Sequence, residues 1–139
     1  MAMNLNTYLT FNGNCEAAFN FYKSVFGGEF VALQRFKEMP SGPPLSEAEK
    51  EMIMHMVLPI GNTVLFGSDK IEAFGKAKVG DNFSLNISAD SEAQARRIFD
   101  ALGVGGKVQM PLEKAFWGAL FGSCTDKFDI QWIVHCETP

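Results

Sequence analysis

The segment Tyr8–Gly27 reads YLTFNGNCEAAFNFYKSVFG, and its pattern returns in Ser84–Gly103, which reads SLNISADSEAQARRIFDALG. A constant offset of 76 residues aligns the two segments, so that Glu16 falls on Glu92. Each copy first alternates apolar and polar residues, then spaces its apolar residues by three and four, and ends in glycine. This pattern predicts a strand, a capped helix and a helix stop in both copies, which indicates a duplicated unit.

Length, composition and charge place the chain among globular proteins. It has 139 residues, 47% of them hydrophobic, and a formal net charge of −4. An acidic chain lacks the basic stripe that neutralises nucleic-acid phosphates. No apolar run approaches the ~20 residues that span a bilayer, and the N-terminus lacks a signal-peptide pattern. We therefore expect a single domain over residues 1–139 in the cytoplasm, with neither nucleic acid nor membrane as partner.

The first module is predicted over residues 5–69, in the order β-α-β-β-β. Its predicted strands cover residues 5–11, 29–35, 52–59 and 63–67, and its helix begins near Cys15 and stops at Gly27-Gly28. The segment 37–50, KEMPSGPPLSEAEK, carries three prolines. It is predicted to be an exposed loop with a short helical turn at 46–50.

The second module, over residues 82–136, repeats the same order. Its predicted strands cover 82–87, 107–110, 117–124 and 130–135, and its helix follows a cap at Asp90 or Ser91. The two modules together give an α+β fold.

The three cysteines of the chain, Cys15, Cys124 and Cys136, are widely spaced. This spacing favours structural thiols over a disulfide framework or a zinc site.

Three runs of the sequence resemble a known family. They are YLTFNGNCEAAFNFYKSVFGGE, MHMVLPIGNTVLFGSD and MPLEKAFWGALFGSCTDKFDIQW, which together cover most of the chain. They are similar to the PhnB-like branch of the vicinal oxygen chelate superfamily, which includes glyoxalase I, extradiol dioxygenases and bleomycin resistance proteins. The resemblance implies two tandem βαβββ modules whose curved mixed sheets surround a cleft, in a homodimer. Asp129 departs from the family, which usually has glycine at this point of the turn.

Members of this branch are often described as 3-demethylubiquinone 3-methyltransferase. A methyltransferase of the common type binds its cofactor at a glycine-rich turn between a strand and a helix. Asn12-Gly13-Asn14 offers one glycine there, and Gly27-Gly28 ends a helix instead of opening one. We therefore expect no cofactor and consider methyl transfer unlikely.

Metal-dependent relatives hold one divalent ion with His or Glu from the first and last strands of each module. Leu9 and Trp132 are among the residues expected to face the helices. Counting alternate residues from them identifies the corresponding cleft-facing positions in this chain. The four matching positions are Asn6, Phe66, Asn82 and Ile133. Amides are poor ligands for a catalytic transition metal, and phenylalanine and isoleucine cannot ligate. The sequence predicts no superfamily metal site.

The same alternation predicts several of the side chains that line the cleft. They are Asn6, Tyr8, Phe66, Asn82, Ser84, Gln131 and Ile133, and Trp117 in Phe116-Trp117-Gly118 is a further candidate. Polar residues alternate on any half-solvated strand without a binding role. The duplicated pair Asn6 and Asn82 favours hydrogen bonding to a ligand, and Trp117 is either an aromatic wall or core.

His55 is the single histidine within the shared motifs. It is either a general acid or base, or a strand histidine bonded to a neighbour. Asp69 either orients a ligand or His55, or belongs to an ordinary turn.

Three functions remain open from the sequence. The first is a protein that binds a small organic molecule in a neutral, metal-free cleft. The second is an enzyme, either metal-free with His55 and Asp69 or using an unconventional metal set of His55, Asp69 and Asp126. The third is a dimerisation or regulatory module with a vestigial cleft.

Overall fold

The computed structural model describes residues 3–137 and divides the chain into two compact units between Lys78 and Val79. Each unit contains one four-stranded mixed sheet and one twelve-residue helix. The boundary falls in the polar connection between the two predicted modules. The predicted α+β class with two βαβββ modules is confirmed.

The first unit follows the predicted order. Its elements are β1 (Thr7–Phe11), α1 (Cys15–Phe26), β2 (Ala32–Arg35), α2 (Glu47–Glu51), β3 (Ile53–Ile60) and β4 (Thr63–Asp69). The sheet order is β1-β4-β3-β2, with β1 parallel to β4 and the other pairs antiparallel. Strands β1 and β2 begin later than the predicted residues 5 and 29.

Helix α1 packs on the face of this sheet that carries the predicted apolar positions. Leu9 and Leu65 of the sheet and Phe19 of the helix are all buried. Gly67 lies directly under the Phe19 ring, where a Cβ atom would clash with it. The predicted strand alternation is therefore confirmed in this unit, and the opposite sheet face is left for other contacts.

The proline-rich segment is partly helical. A short 3-10 turn covers Phe36–Glu38, and α2 begins one residue after the helical turn predicted at 46–50. The Ser46 hydroxyl accepts from the Glu49 N–H, while the Glu49 carboxylate accepts from the Ser46 N–H. This reciprocal pair is a capping box, which explains why so short a helix forms.

The second unit repeats the plan. Its elements are β5 (Leu85–Ser88), α3 (Glu92–Gly103), β6 (Lys107–Lys114), β7 (Leu120–Thr125) and β8 (Gln131–Cys136). The sheet order is β5-β8-β7-β6, with β5 parallel to β8. Ile98 and Leu102 of α3, together with Trp132 and Val134 of β8, are buried in the core of this unit.

Three predicted strand boundaries in this unit were wrong. Strand β5 begins at Leu85 and not at the predicted residue 82. Strand β6 continues past Met110 to Lys114 and includes Pro111, which an edge strand tolerates because the missing N–H can face solvent. Trp117, predicted inside a strand, lies in the turn between β6 and β7. That turn closes with the Gly118 N–H donating to the Ala115 carbonyl at 2.9 Å.

Asp129 adopts the left-handed conformation that favours glycine, with φ of 69°. It lies in the turn between β7 and β8. The turn therefore forms despite the departure from the family pattern, with a side chain at a position whose conformation costs glycine the least. Across residues 3–137, no helix combines the length and apolar character needed to cross a bilayer.

Candidate functional site

Three rings cluster on the sheet face of the first unit that points away from α1. We call Tyr8, His55 and Phe66 the ring face. The ring centroids of Tyr8 and Phe66 are 5.9 Å apart, and those of His55 and Phe66 are 5.7 Å apart. Their planes differ by only 24° and 23°, and Tyr8 is 52% exposed. The structure thus brings together three predicted site residues as a cluster of nearly parallel, stacked rings.

His55 takes part in this surface through its ring alone. It lies on β3 opposite Gln34 and stacks on Tyr8 with centroids 6.4 Å apart. Among the described residues, its imidazole has ring contacts but no hydrogen-bond partner. A general base needs a group that orients it, and within residues 3–137 no side chain supplies that role to His55.

Asp69 lies on the opposite, α1-facing side of the sheet and is 3% exposed. Its Oδ1 accepts from the N–H groups of Gly13 and Cys15 at 3.0 and 2.9 Å. Its Oδ2 accepts from the Ile53 N–H at 2.9 Å. The carboxylate therefore connects the end of β4 to the start of α1 and to β3, and the structure does not bring it to His55.

Asp126 has a comparable structural role in the second unit. Its Oδ1 accepts from the N–H groups of Phe128 and Ile130 at 2.8 and 3.1 Å. Its Oδ2 accepts from Trp132 Nε1 at 2.8 Å. The Asp126 carboxylate thus closes the turn before β8 and anchors the largest core side chain of that unit.

The buried thiols are poor nucleophiles. Burial, and then the charges of Asp69 and Glu16, raises the pKa of the Cys15 thiol far above its ordinary value. Burial, and then the charge of Asp126, raises the pKa of Cys124 to about 11. Since the thiolate is the reactive form, both cysteines are unreactive at neutral pH.

A hydrogen-bonded relay occupies the outward face of the second unit. His135 Nδ1 lies 3.0 Å from Asn86 Oδ1, and His135 Nε2 lies 3.3 Å from Ser88 Oγ. Asn86 and Ser88 are two residues apart on β5, and His135 lies beside them on β8. Sequence reasoning assigned no role to Ser88, and only the pairing of β5 with β8 brings residues 86 and 135 together.

A cavity of about 280 Å³ adjoins the relay. It is lined by Asn86, Trp117, Phe121, Ile133, His135 and Glu137. The Trp117 ring stands edge-on to Phe121 with centroids 5.7 Å apart. The structure therefore unites two predicted site residues of this unit, Trp117 and Ile133, around one space that has an apolar side and a polar side.

The other predicted polar residues lie apart from these two features. Asn6 Oδ1 accepts from the Val64 N–H at 3.3 Å. Gln131 Nε2 donates to the carbonyls of Gly80 and Phe83 at 3.3 and 3.1 Å. Asn82 and Ser84 are exposed, ahead of β5. The amides of Asn6 and Gln131 thus bind the protein's own backbone.

The donor set does not fit a metal ion of the superfamily type. Phe66 belongs to the ring face and Ile133 lines the cavity, so neither position offers a ligand atom. Within either unit, the residues from 3 to 137 contain no cluster of three His, Cys, Asp or Glu side chains able to hold a metal.

Comparison with known proteins gives a consistent family. A family model described as 3-demethylubiquinone-9 3-methyltransferase matches residues 3–135. Protein YjdN of Escherichia coli (strain K12) is 30% identical over 141 residues, covering 96% of this chain and 95% of that protein. The crystal structure of protein PA1353 from Pseudomonas aeruginosa shares 38% identity and a TM-score of 0.88, covering 99% of this chain and 100% of that one. A putative 3-demethylubiquinone-9 3-methyltransferase, PhnB protein, from Bacillus cereus has a TM-score of 0.75 at 24% identity, covering 96% and 99%.

Proposed function

We propose a binding function for this chain, which belongs to the family described as 3-demethylubiquinone-9 3-methyltransferase, the PhnB-like branch of the vicinal oxygen chelate superfamily. The ligand is a small, flat, neutral organic molecule. It lies on the ring face of Tyr8, His55 and Phe66 and needs no metal ion.

The observation that carries this proposal is the geometry of the ring face. Three nearly parallel rings on a half-exposed sheet surface offer apolar area that a flat ligand can cover. Covering apolar surface contributes about 25 cal/mol per Å², and aromatic contacts add about 0.5–1.5 kcal/mol beyond it. The neighbouring outward positions, Thr10, Val64 and Ser68, carry no charge, which supports a neutral ligand.

One observation weighs against methyl transfer, the activity named in the family description. A cofactor that enters at the strand–helix turn needs the free N–H groups of the helix start. The N–H groups of Gly13 and Cys15 already donate to the Asp69 carboxylate. Those two N–H groups are therefore not available to a cofactor.

Acid–base catalysis by His55 with Asp69 finds less support than binding. The two side chains lie on opposite faces of their sheet, and the carboxylate of Asp69 is occupied by three backbone donors. Cleft-lining roles for Asn6, Asn82, Ser84 and Gln131 stay predictions, as does the homodimer, which sedimentation of the purified chain would test.

A thermal-shift and NMR titration with coumarin, indole and 2-naphthol tests the ring face, since a ligand that binds the folded form raises its stability. We expect these probes to broaden the Tyr8 and Phe66 ring signals, whereas cyclohexanol of similar size does not. Phe66→Leu should weaken binding about 5-fold, the equivalent of one aromatic contact.

Phe74→Leu is the matched control, because Phe74 is 55% exposed and lies outside the ring face. Equal losses in both variants, or binding of cyclohexanol as tight as that of coumarin, would contradict the proposal.

A further inference from the structure

We propose that Ser88, His135 and Asn86 form a second, chemically active site, in which the Ser88 hydroxyl accepts an acyl group from activated esters. The relay and the cavity beside it lie in the second unit, so this inference is independent of the ring face. It rests on the direction of two hydrogen bonds, on the strand register that holds them, and on the cavity that can receive a substrate.

The direction of the hydrogen bonds follows from Asn86. Its Oδ1 can only accept, so His135 Nδ1 must carry the proton at the 3.0 Å contact. In a neutral imidazole the other nitrogen is then an acceptor, so Ser88 Oγ donates to His135 Nε2 across 3.3 Å. This is the order of nucleophile, base and orienting group that activates a serine. The longer bond lies within what such pairs show before a substrate binds.

Backbone pairing holds the three side chains together. Strands β5 and β8 run parallel with Ser88 opposite His135 and Asn86 opposite Ile133. Residues two apart on a strand share a face. Asn86 and Ser88 therefore lie on the same sheet face, and the imidazole of His135 bonds to both. The Ala89 N–H donates to the His135 carbonyl at 2.8 Å, which extends the pairing past the serine.

The adjoining cavity indicates the class of substrate. Its volume of about 280 Å³ suits a small molecule, and Trp117, Phe121 and Ile133 give it an apolar wall. Glu137 lies in the same lining and disfavours anionic compounds, since like charges repel. The structure therefore points to neutral esters with a short alkyl or aryl group.

The step balances without a cofactor or a redox partner. Ser88 Oγ attacks the carbonyl carbon, the bond from that carbon to the alkoxy oxygen breaks, and His135 Nε2 passes the serine proton to the leaving oxygen. The products are an acyl-serine and an alcohol. Water, deprotonated by the same nitrogen, then releases the carboxylic acid and restores the serine.

The range of esters is limited by oxyanion stabilisation. The Ala89 N–H, which follows the serine, already donates to the His135 carbonyl, so it does not serve a developing oxyanion. The reaction therefore needs a good leaving group, such as 4-nitrophenolate, and the acyl-serine should accumulate before it hydrolyses.

The test uses 4-nitrophenyl butyrate with the full chain, following nitrophenolate release and mapping the butyryl group by peptide mass spectrometry. We expect one butyryl group on Ser88, absent in Ser88→Ala. His135→Gln should slow acylation about 100-fold, a typical contribution of a general base.

Asn86 is a positioning residue in this scheme, so Asn86→Ala should slow acylation and Asn86→Asp should restore it. Ser123→Ala is the matched control, because Ser123 lies on β7 opposite Ile133 and takes no part in the relay. This control should acylate at the native rate.

Butyryl groups found only on lysines, or a Ser88 adduct that forms equally fast in His135→Gln, would overturn the proposal. If His135→Gln does not fold, as judged by its thermal transition, adduct mapping on native chain and Ser88→Ala still decides the matter.

Discussion

The two long helices begin with similar sequences but are held by different chemistry. At α1 the side chain of the N-cap residue Asn14 makes no capping hydrogen bond, and the Cys15 N–H donates instead to Asp69 at the end of β4. At α3 the Ser91 hydroxyl itself accepts from the Gln94 N–H at 3.1 Å. The two units thus share the same framework but satisfy the first N–H groups of their helices differently. In α1 the acceptor is a residue distant in sequence, and in α3 it is the adjacent N-cap residue.

The last strands explain this difference. When Phe66 of β4 is matched with Ile133 of β8, Asp69 corresponds to Cys136. Cys136 is buried, and its thiol donates weakly to the Glu137 carbonyl at 3.5 Å. The second unit therefore has no carboxylate at this position, and its helix depends on its own cap. In the first unit, one carboxylate supports a helix start and a neighbouring strand together.

The largest expected effect is that of Asp69→Ala. The change leaves three backbone N–H groups, those of Gly13, Cys15 and Ile53, without their acceptor. We expect the free energy of unfolding to fall by about 4 kcal/mol, because each lost charge-assisted bond in a buried setting costs about 1–3 kcal/mol. Urea unfolding followed by circular dichroism measures it.

Asp90→Ala is the control for this change, because Asp90 is exposed at the start of α3 and should shift stability by less than about 0.5 kcal/mol. A loss below about 1 kcal/mol for Asp69→Ala would mean that water replaces the carboxylate, and the proposed difference between the helix starts would fail.

A smaller effect is expected from the caps themselves. Ser91→Ala removes a hydroxyl that satisfies an N–H of α3, and loss of such a cap costs about 1 kcal/mol. Asn14→Ala should cost only about 0.3 kcal/mol, since its side chain caps nothing in α1. Equal losses in the two variants, measured by the same urea titration, would show that the helix starts do not differ.

Much of the fold could be predicted because its signals are local. The apolar spacing that ends at Gly27, and the alternation around Leu9 and Leu65, depend on neighbours a few residues away. The predicted start of β7 failed for the same reason, since the apolar pair Phe116-Trp117 has the composition of a strand although the chain turns there.

The candidate sites depend on partners that are distant in sequence. Asp69 is 54 residues from Cys15, and Ser88 is 47 residues from His135. Alternation could place Ser88 and His135 on outward faces, but only the register of β5 against β8 makes them neighbours. The ring face was partly foreseen, because Tyr8 and Phe66 came from alternation, while the stacking of His55 on them required the sheet order.

The two helices also differ in the carboxylate of their first turn. Glu16 of α1 receives both arms of the Arg35 guanidinium from β2, at 2.9 and 2.8 Å. Glu92 of α3 pairs with Arg96 one turn further along the same helix, at 3.0 Å. The first pair connects a helix to a strand, whereas the second connects a helix to itself.

This contrast predicts a pH-dependent difference in stability. The hydrogen bond from Arg35, and then its charge, lowers the pKa of Glu16 despite some burial that acts in the opposite direction. A lowered pKa gives stability that is fully present above the unfolded-state pKa and is lost as pH falls through the folded-state pKa.

At pH 7, Glu16→Gln should therefore lower the free energy of unfolding by about 0.8 kcal/mol, within the range of exposed ion pairs. Glu92→Gln should lower it by about 0.3 kcal/mol. The cost of Glu16→Gln should begin to decline as the pH falls below the unfolded-state pKa, because the unfolded chain then binds a proton, and it should vanish below the lower folded-state pKa of Glu16. Urea titrations at pH 7, 5 and 3.5 measure both variants, and a Glu16→Gln cost that stays constant across this range would show that Arg35 does not hold the carboxylate in solution.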